Sequence, residues 1–327
     1  MSFNRSSNRR LSLGLADRRI FLIVLCVVVS AVMTALSPYF LHLASLLNMT
    51  QFGAVIGLLA LGETLVILGG GGGIDLSVGS MLSLSGISMG LLLHAGVNVW
   101  VAALLAVLIG IALGAFNGFL VVAMRLAPLI ATLGTEYAYS SLAQVLANGT
   151  LISGFHVSGF NLLGQSQVFN IPLQILLVLL PSYIVLGVAL AYTRFGRNLY
   201  EVGNNERAAY LVGISPGRVR LSVYCLSGML AAIGAVVTNS WLLAARPGAG
   251  DGYELQAITI AVLGGTDIFG GRGTISGTLL AVLLIVIITT GLQLANVDTV
   301  WQMGVLGAIL IASVLLNNIF TRRTHLR

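Results

Sequence analysis

Two acidic residues, Glu63 and Glu136, stand alone inside long apolar segments, where an ionisable group is by default a functional candidate. A carrier driven by a proton or sodium gradient needs such carboxyls near the midplane of the membrane. The alternative for both residues is a neutral, hydrogen-bonded carboxyl that holds helices together. Uncharged polar groups at helical positions would suit the path of a neutral, hydroxyl-rich solute, or would bond helices to each other; they are Asn117, Tyr137, Tyr139, Gln144 and Asn239.

A glycine-rich stretch, Leu68–Ser80 (LGGGGGIDLSVGS), at first suggests a phosphate-binding loop. All 16 basic residues of the chain are arginine, so the lysine that a Walker A loop needs is absent. A flexible linker is not favoured either, because only a few residues separate two apolar segments. We expect a tight helix junction, in which glycines permit close backbone approach and positive φ, and Asp75 or Ser77 caps the next helix. Direct contact with a solute is the alternative.

A similar stretch occurs late in the chain, at Ala261–Thr278 (AVLGGTDIFGGRGTISGT). It also follows an apolar segment, contains an acid and leads into a further apolar segment. Leu68–Gly70 and Leu263–Gly265 share the sequence Leu-Gly-Gly, which is consistent with an internal duplication. The predicted junction residues of the two stretches are Gly72, Gly73, Asp75, Ser77, Gly264, Gly265, Asp267, Gly270 and Gly271.

Enzymatic chemistry has little support in the sequence. The four histidines have no paired spacing, and the sequence contains no Cys/His cluster and no Gly-x-Ser-x-Gly motif. No two carboxylates share a helical face at positions i and i+4. We therefore predict that the chain is not an enzyme and carries no catalytic residue, metal or cofactor of its own.

The elements that position these residues are membrane-spanning helices. Hydrophobic residues form 57% of the chain and charged residues 8%, whereas a soluble domain carries about 25% charged residues. At about 20 residues per span, the chain has room for about ten spans and no sizeable soluble domain. The predicted spans are 20–37, 50–69, 76–94, 98–124, 128–147, 172–193, 219–245, 253–269, 274–292 and 300–318. The fold class is thus all-α and polytopic, with an Arg-rich segment at 1–19, a transmembrane domain at 20–318 and a tail at 319–327.

The arginines predict the orientation of these spans. With the N-terminus in the cytoplasm, every arginine except Arg246 falls on the cytoplasmic side, as the positive-inside rule requires. Both termini are then cytoplasmic, and the net charge of +6 reflects the bilayer rather than a nucleic-acid partner. The two long loops are a polar periplasmic loop at about 148–171 and a charged cytoplasmic loop at about 193–220.

The sequence of the cytoplasmic loop predicts a short helix over Asn204–Leu211, with Asn204 or Asn205 as its N-cap. Ala208 and Ala209 give this helix a small, smooth face. A helix at this position has no membrane to cross, so it either docks on another surface or is an ordered loop. Docking suits a transporter that is driven by a separate cytoplasmic motor.

Four blocks of sequence, in this order and spacing, resemble the permease subunits of bacterial ABC importers for ribose and related monosaccharides; they are Gly72–Ser80, Asn117–Thr135, Thr193–Ile214 and Gly252–Thr278. The resemblance covers about residues 40–318 and implies a ten-helix inner-membrane permease of the type II importer fold. It also implies a second permease copy or paralogue, a cytoplasmic ATPase subunit that binds ATP and Mg²⁺, and a periplasmic sugar-binding protein.

The same resemblance makes the cytoplasmic loop the segment that couples to the ATPase, through Gly196, Arg197, Gly203, Asn204, Asn205, Glu206, Ala208, Ala209 and Gly213. The candidate translocation path comprises Glu63, Asn117, Tyr137, Gln144 and Asn239. Glu63 and Glu136 occupy positions where such permeases usually carry apolar residues, and the glycine run is longer than the usual pair. The solute could be a pentose, a hexose, a polyol, a deoxysugar or autoinducer-2. The rival functions are an ion-coupled carrier using Glu63 or Glu136 and a structural membrane scaffold.

Overall fold

The computed structural model describes the backbone of residues 5–154 and 159–325. Within these ranges the chain forms thirteen α-helices and four two-residue strands. The helices are α1 (Arg5–Leu36), α2 (Leu43–Leu68), α3 (Val78–His94), α4 (Val99–Val122), α5 (Pro128–Leu146), α6 (Asn161–Gln165), α7 (Leu180–Tyr192), α8 (Arg194–Asn204), α9 (Glu206–Leu211), α10 (Pro216–Leu242), α11 (Tyr253–Leu263), α12 (Ile275–Leu294) and α13 (Thr299–His325). A π-helical turn, Ile175–Leu179, leads into α7.

Six helical segments of the described chain are long and apolar enough to cross a membrane. They are Arg18–Leu36, Leu43–Leu68, Val99–Val122, Ile175–Tyr192, Pro216–Leu242 and Ile275–Leu294. Shorter apolar helices lie at Val78–His94, Tyr253–Leu263 and Val300–Leu315. The chain is therefore a mainly helical, polytopic membrane protein, as the composition predicts.

Four predicted spans, over 76–94, 128–147, 253–269 and 300–318, are not among these six segments. The span predicted over 253–269 is wrong in length, because α11 has only 11 residues and reaches about 16 Å at 1.5 Å per residue, against a hydrocarbon core of about 30 Å. The span predicted over 128–147 does form α5, but α5 is not among the six segments that are apolar enough to cross. Its acid, amide, tyrosines and serines lower its hydropathy, so the helix needs polar neighbours.

Helix α2 forms the centre of the bundle, and its most apolar stretch is almost entirely buried. It is surrounded by α3, α10, α11, α12 and the π-helical turn. Small residues permit this close packing: a Cβ at Gly62 would lie 3.1 Å from Ser227 Cα on α10. A helix that carries polar groups at the centre must satisfy them inside the protein, which explains the contacts of Glu63 described below.

Helices α4 and α10 cross at three glycines spaced four residues apart. A Cβ at Gly110, Gly114 or Gly118 would collide with Gly228, Tyr224 or Leu221 of α10. Residues four apart share a helix face, so α4 presents α10 with a smooth groove. This spacing of small residues is the usual means of bringing two helix backbones together in a membrane.

The segment 148–171, predicted as a polar surface loop, carries secondary structure of its own in its described part. Strand β1 (Ile152–Ser153) pairs with β4 (Ala244–Ala245), and β2 (Gln167–Val168) pairs with β3 (Ile171–Pro172), both antiparallel. The short helix α6 lies on the end of α10, where Gly164 N donates to Ser240 Oγ at 2.9 Å. The loop is thereby fixed against the bundle.

Candidate functional site

Two buried carboxyls, Glu63 on α2 and Asp75 before α3, meet in the interior of the bundle. Both residues are fully buried, and the backbone N–H of Asp75 donates to Glu63 Oε1 and Oε2 at 3.2 and 3.3 Å. The chain after α2 therefore folds back along that helix, because Asp75 follows Glu63 by twelve residues yet lies beside it. Asp75 Oδ2 accepts a bond from Ser227 Oγ of α10 at 3.0 Å.

The contacts of Asp75 extend to α4 and α5 through hydroxyl and amide groups. Ser77 Oγ donates to Asp75 Oδ1 at 2.7 Å and accepts from Asn117 Nδ2 at 2.6 Å. Tyr139 OH contacts Asn117 Oδ1 at 3.3 Å and Leu113 O at 3.0 Å. We call Glu63, Asp75, Ser77, Asn117, Tyr139 and Ser227 the buried network. It joins α2, α4, α5 and α10 to the start of α3.

The prediction that Asp75 or Ser77 caps α3 is wrong in its detail. Ser77 occupies the N-cap position, but its side chain accepts no bond from the first turn of the helix. Asp75 Oδ1 accepts from the N–H of Ser77 at 3.1 Å instead. Both side chains serve contacts between helices, because they face buried groups of neighbouring helices rather than the free N–H groups of α3.

Gly70 in the glycine run lies against the last turn of α8 and the late glycine-rich turn, which explains why this position is a glycine. A Cβ at Gly70 would lie 2.8 Å from Gly203 Cα, and a Cβ at Gly270 would lie 2.7 Å from Gly70 N. Gly271 N donates to Leu68 O at 3.1 Å. Gly70, Gly270 and Gly271 also have positive φ, so side chains are excluded by conformation and by space together. We call Leu68, Gly70, Gly203, Asn204, Gly270 and Gly271 the three-loop contact, after the three segments of the chain that meet there.

The two glycine-rich stretches meet in the three-loop contact, and their assignment as helix junctions stays a prediction. Helices α2 and α11 end in the same manner, with Gly69 and Gly264 as C-caps followed by Gly70 and Gly265 at positive φ. Gly72 also has positive φ, but a Cβ at Gly72 would meet nothing within 4 Å. A Cβ at Gly73 would meet Val66 O at 2.6 Å. Asp267 fixes the late turn, because its backbone N–H donates to Arg272 O at 2.8 Å.

The predicted helix in the loop 193–220 is present as α9, with Asn205 as its N-cap. Asn205 Oδ1 accepts from the N–H of Ala208 at 3.0 Å, while Ala209 is buried and Ala208 exposed. Gly213 ends the helix at positive φ, and Gly213 N and Ile214 N donate to the carbonyls of Tyr210 and Ala209, a common glycine C-cap.

A further helix, α8, precedes α9; the sequence does not predict it, because the glycines Gly196 and Gly203 disfavour a helix interior. Thr193 caps α8 through a bond from Gly196 N at 3.4 Å, and Gly196 packs against the backbone of Leu190. Arg197 lies in the first turn of α8. The single extended residue Asn205 separates α8 from α9.

An ion pair ties α9 to the bundle. Arg220 on α10 donates to both carboxylate oxygens of Glu206, at 3.1 and 2.7 Å. The same guanidinium covers the glycine run, since a Cβ at Gly71 would lie 2.5 Å from Arg220 Nη2. Because the Glu206 side chain is 54% exposed, the pair positions α9 more than it stabilises the fold.

Large apolar side chains are exposed at the end of α9 and in the late glycine-rich turn. Tyr210, Leu211 and Val212 at the end of α9 are 70–79% exposed, and Phe269 in the late glycine-rich turn is 85% exposed. This turn touches α8 through Gly271 and Asn204. We call Tyr210, Leu211, Val212 and Phe269 the apolar docking surface. Large exposed apolar side chains at helix ends and turns are candidate contacts for another protein.

The candidate path residues fall into two groups. Glu63, Asn117 and Asn239 are buried and bonded to protein groups, with Asn239 Nδ2 donating to Gly86 O at 2.9 Å. Tyr137 and Gln144 project from the exposed face of α5. The assignment of all five residues to a path remains a prediction.

Glu136 lies on α5 in the neighbourhood of other charged groups. It interacts electrostatically with Asp251 in the loop before α11, and Glu254 on α11 interacts with both. Burial raises the pKa of Asp251, and the nearby Arg246 opposes that shift. No group of three or more His, Cys, Asp or Glu side chains suited to a metal ion occurs in the part of the chain that the structure describes.

Sequence reasoning missed Ser227 and Arg220, which connect α10 to Asp75 and to Glu206. Neither residue stands out, because an isolated serine in a membrane helix and an arginine near a helix start are both common. Ser227 lies 152 residues from Asp75 in the chain, and Arg220 lies 14 residues from Glu206 with a turn between their helices. Only the tertiary structure reveals these contacts.

Comparison with known proteins shows the family to which the chain belongs. Residues 45–314 match the family described as the permease component of the branched-chain amino acid transport system. The chain therefore belongs to this family of membrane permeases, and it is a multi-pass inner-membrane transport subunit rather than an enzyme.

Three named permeases are similar to the chain over most of its length. The chain is 40% identical to the ribose import permease protein RbsC of Bacillus subtilis, over 90% of each chain. It is 36% identical to the D-allose transport system permease protein AlsC of Escherichia coli, again over 90% of each. It is 33% identical to the autoinducer 2 import system permease protein LsrD of Escherichia coli, over 90% of this chain and 89% of that one. No solved structure gives a significant match.

Proposed function

We propose that this chain is the membrane-spanning subunit of an ATP-driven importer for a monosaccharide or a similar small polyhydroxy solute. The observation that carries the proposal is the apolar docking surface on α9 and the late turn, which a separate subunit can cover. The relatives named for ribose, D-allose and autoinducer 2 support the solute class. ATP and Mg²⁺ belong to the separate subunit, because this chain contains no lysine for a Walker A loop.

The proposed orientation places both chain ends and the apolar docking surface in the cytoplasm. It follows from the arginine distribution: if α5 and the segment that contains the short α11 are each counted as one crossing, ten crossings leave only Arg246 on the outer side. Arg18 supports the arrangement, because its guanidinium donates to Val262 O at 2.7 Å and so meets the carbonyl end of α11. The segment 148–171 then lies outside, where a solute-binding protein docks.

We also propose that a second copy of the chain, or a paralogue, covers the exposed face of α5. Tyr137 is 67% exposed on that face, and Gln144 is exposed two turns further along. Polar groups at membrane depth normally face a protein or a water-filled cavity rather than lipid. A path between two copies would place these side chains where a hydroxyl-rich solute passes.

The test is reconstitution of the chain in liposomes with its ATPase subunit and binding protein. We expect uptake of radiolabelled ribose or another monosaccharide that requires all three proteins and ATP. Uptake by this chain alone, driven by a proton or sodium gradient and indifferent to ATP, would contradict the proposal.

Glu63→Gln separates the ATP-driven function from the ion-coupled one. Glutamine retains a carbonyl oxygen that can accept from the N–H of Asp75, so we expect ATP-dependent uptake to persist. A proton relay through Glu63 predicts loss of uptake instead. Glu63→Leu is the structural control, because it leaves a buried N–H unpaired at a cost of about 1–3 kcal/mol.

A further inference from the structure

We propose that the three-loop contact is the stiff mechanical link by which the α8–α9 segment moves the start of α3 and, with it, the buried network. The proposal rests on the proposed function, in which a cytoplasmic ATPase docks on α9. It assigns a positioning role to Gly70, Gly203 and Gly270, which touch neither solute nor nucleotide.

The first step is a route by which a force on α9 can reach the interior. Helix α9 is fixed to the bundle through the buried Ala209, the short turn into α10 and the ion pair between Glu206 and Arg220, and it is joined to α8 by Asn205. An exposed ion pair made by two long side chains can lengthen or rotate at little cost. Helix α8 is different, because Gly203 in its last turn lies directly against the backbone of Leu68 and Gly271.

The second step is the stiffness of this contact. Gly203, Gly70 and Gly270 meet backbone to backbone, with Gly203 O only 3.0 Å from a Cβ placed on Gly70 and 3.2 Å from one placed on Gly270. These three glycines carry no side chain whose rotamers could absorb a displacement. Close-packed backbones of this kind transmit movement rather than deforming continuously.

The third step connects the contact to the interior. Gly73 N donates to Gly70 O at 3.1 Å, so Gly70 and the chain that leads to Asp75 form one tight turn. Asp75 then contacts α2 through Glu63 and α10 through Ser227. Movement of Gly70 therefore displaces a residue to which several membrane helices are bonded.

The test compares alanine at Gly70 and Gly203 with alanine at Gly72. Gly70 and Gly72 have nearly equal φ, 68° and 71°, so Gly70→Ala and Gly72→Ala impose similar backbone strain. Only the first introduces a collision, because a Cβ at Gly72 meets nothing within 4 Å. Gly72→Ala is therefore a matched control for the contact itself.

Each variant is assembled with the ATPase and binding protein in liposomes, and sugar uptake and ATP hydrolysis are measured together. We expect Gly70→Ala and Gly203→Ala to lower the number of solutes imported per ATP hydrolysed by about tenfold, within the usual range of coupling between sites. Hydrolysis and assembly should persist, and Gly72→Ala should resemble the unchanged protein. An unchanged ratio in assembled Gly70→Ala and Gly203→Ala complexes would overturn the inference.

Hydrogen exchange on the unchanged complex tests the link without any variant. We expect a nucleotide analogue to alter exchange at Gly69–Ser77 and at Gly203–Leu211 with the same concentration dependence. A response confined to Gly203–Leu211 would overturn the link. Failure of the proposed function is a distinct result, since the unchanged chain would then neither co-purify with an ATPase nor import sugar with ATP.

Discussion

Replacing Asp75 tests whether the buried network holds the membrane helices together. Asp75 accepts bonds from Ser77 N, Ser77 Oγ and Ser227 Oγ at 2.7–3.1 Å, and it is fully buried. In Asp75→Ala the two hydroxyls can turn to backbone carbonyls of their own helices. The Ser77 N–H has no such freedom, and an unpaired buried donor costs about 1–3 kcal/mol.

The size of the effect follows from these contacts. The free-energy cost of the small cavity left by the carboxyl adds to the cost of the unpaired N–H. We therefore expect Asp75→Ala to lower the free energy of unfolding by about 2–4 kcal/mol. Asp75→Asn keeps Oδ1 as an acceptor and can donate to Ser227, so its cost should be about 1 kcal/mol. Reversible unfolding in bicelles measures the free energies of unfolding of the unchanged protein and both variants, and so tests their order.

Asp298 provides a matched control for this prediction. Its Oδ1 accepts from the N–H of Val300, two residues on, at 2.9 Å, as Asp75 Oδ1 does from Ser77. Asp298 is exposed, so water replaces part of the lost bond, and Asp298→Ala should lower the free energy of unfolding by only about 1 kcal/mol, the usual cost of removing an N-cap. Equal stability of Asp75→Ala and Asp298→Ala would refute the reasoning.

Two further predictions concern packing and docking. Gly114→Ala places a Cβ against the carbonyl of Tyr224, and this overpacking should lower the free energy of unfolding by about 1–3 kcal/mol. Gly134→Ala on α5 is the control, because its Cβ meets nothing within 4 Å; it should not destabilise the protein in the same unfolding assay. Leu211→Asp should weaken co-purification with the ATPase because it places a charge in the apolar docking surface. Leu151→Asp, on an exposed leucine in the segment 148–171, should leave that association intact. Equal yields of complex from both variants would contradict the docking surface.

Much of the architecture could be predicted from the sequence because the membrane imposes simple rules. Apolar runs must form helices in lipid, where every backbone group needs an internal partner, and each of the ten predicted spans does contain a helix. Asn205 and Gly213 bracket α9 by local bonds alone, so this helix was also predictable. The missed helix α8 shows the limit, because its glycines serve close packing against other segments rather than ending a helix.

The sequence by itself determined the class of protein and its helical content, and it predicted the two glycine-rich junctions, since these depend on composition and on residues close together in the chain. Only the tertiary structure decided what the glycines touch, because Gly70, Gly203 and Gly270 meet across separations of 67 to 200 residues. It likewise decided that Glu63 accepts a bond from the Asp75 backbone within a network of helices. Apolar composition marks which segments can form helices in the membrane, whereas the partner of a buried polar group depends on how the helices are arranged around it.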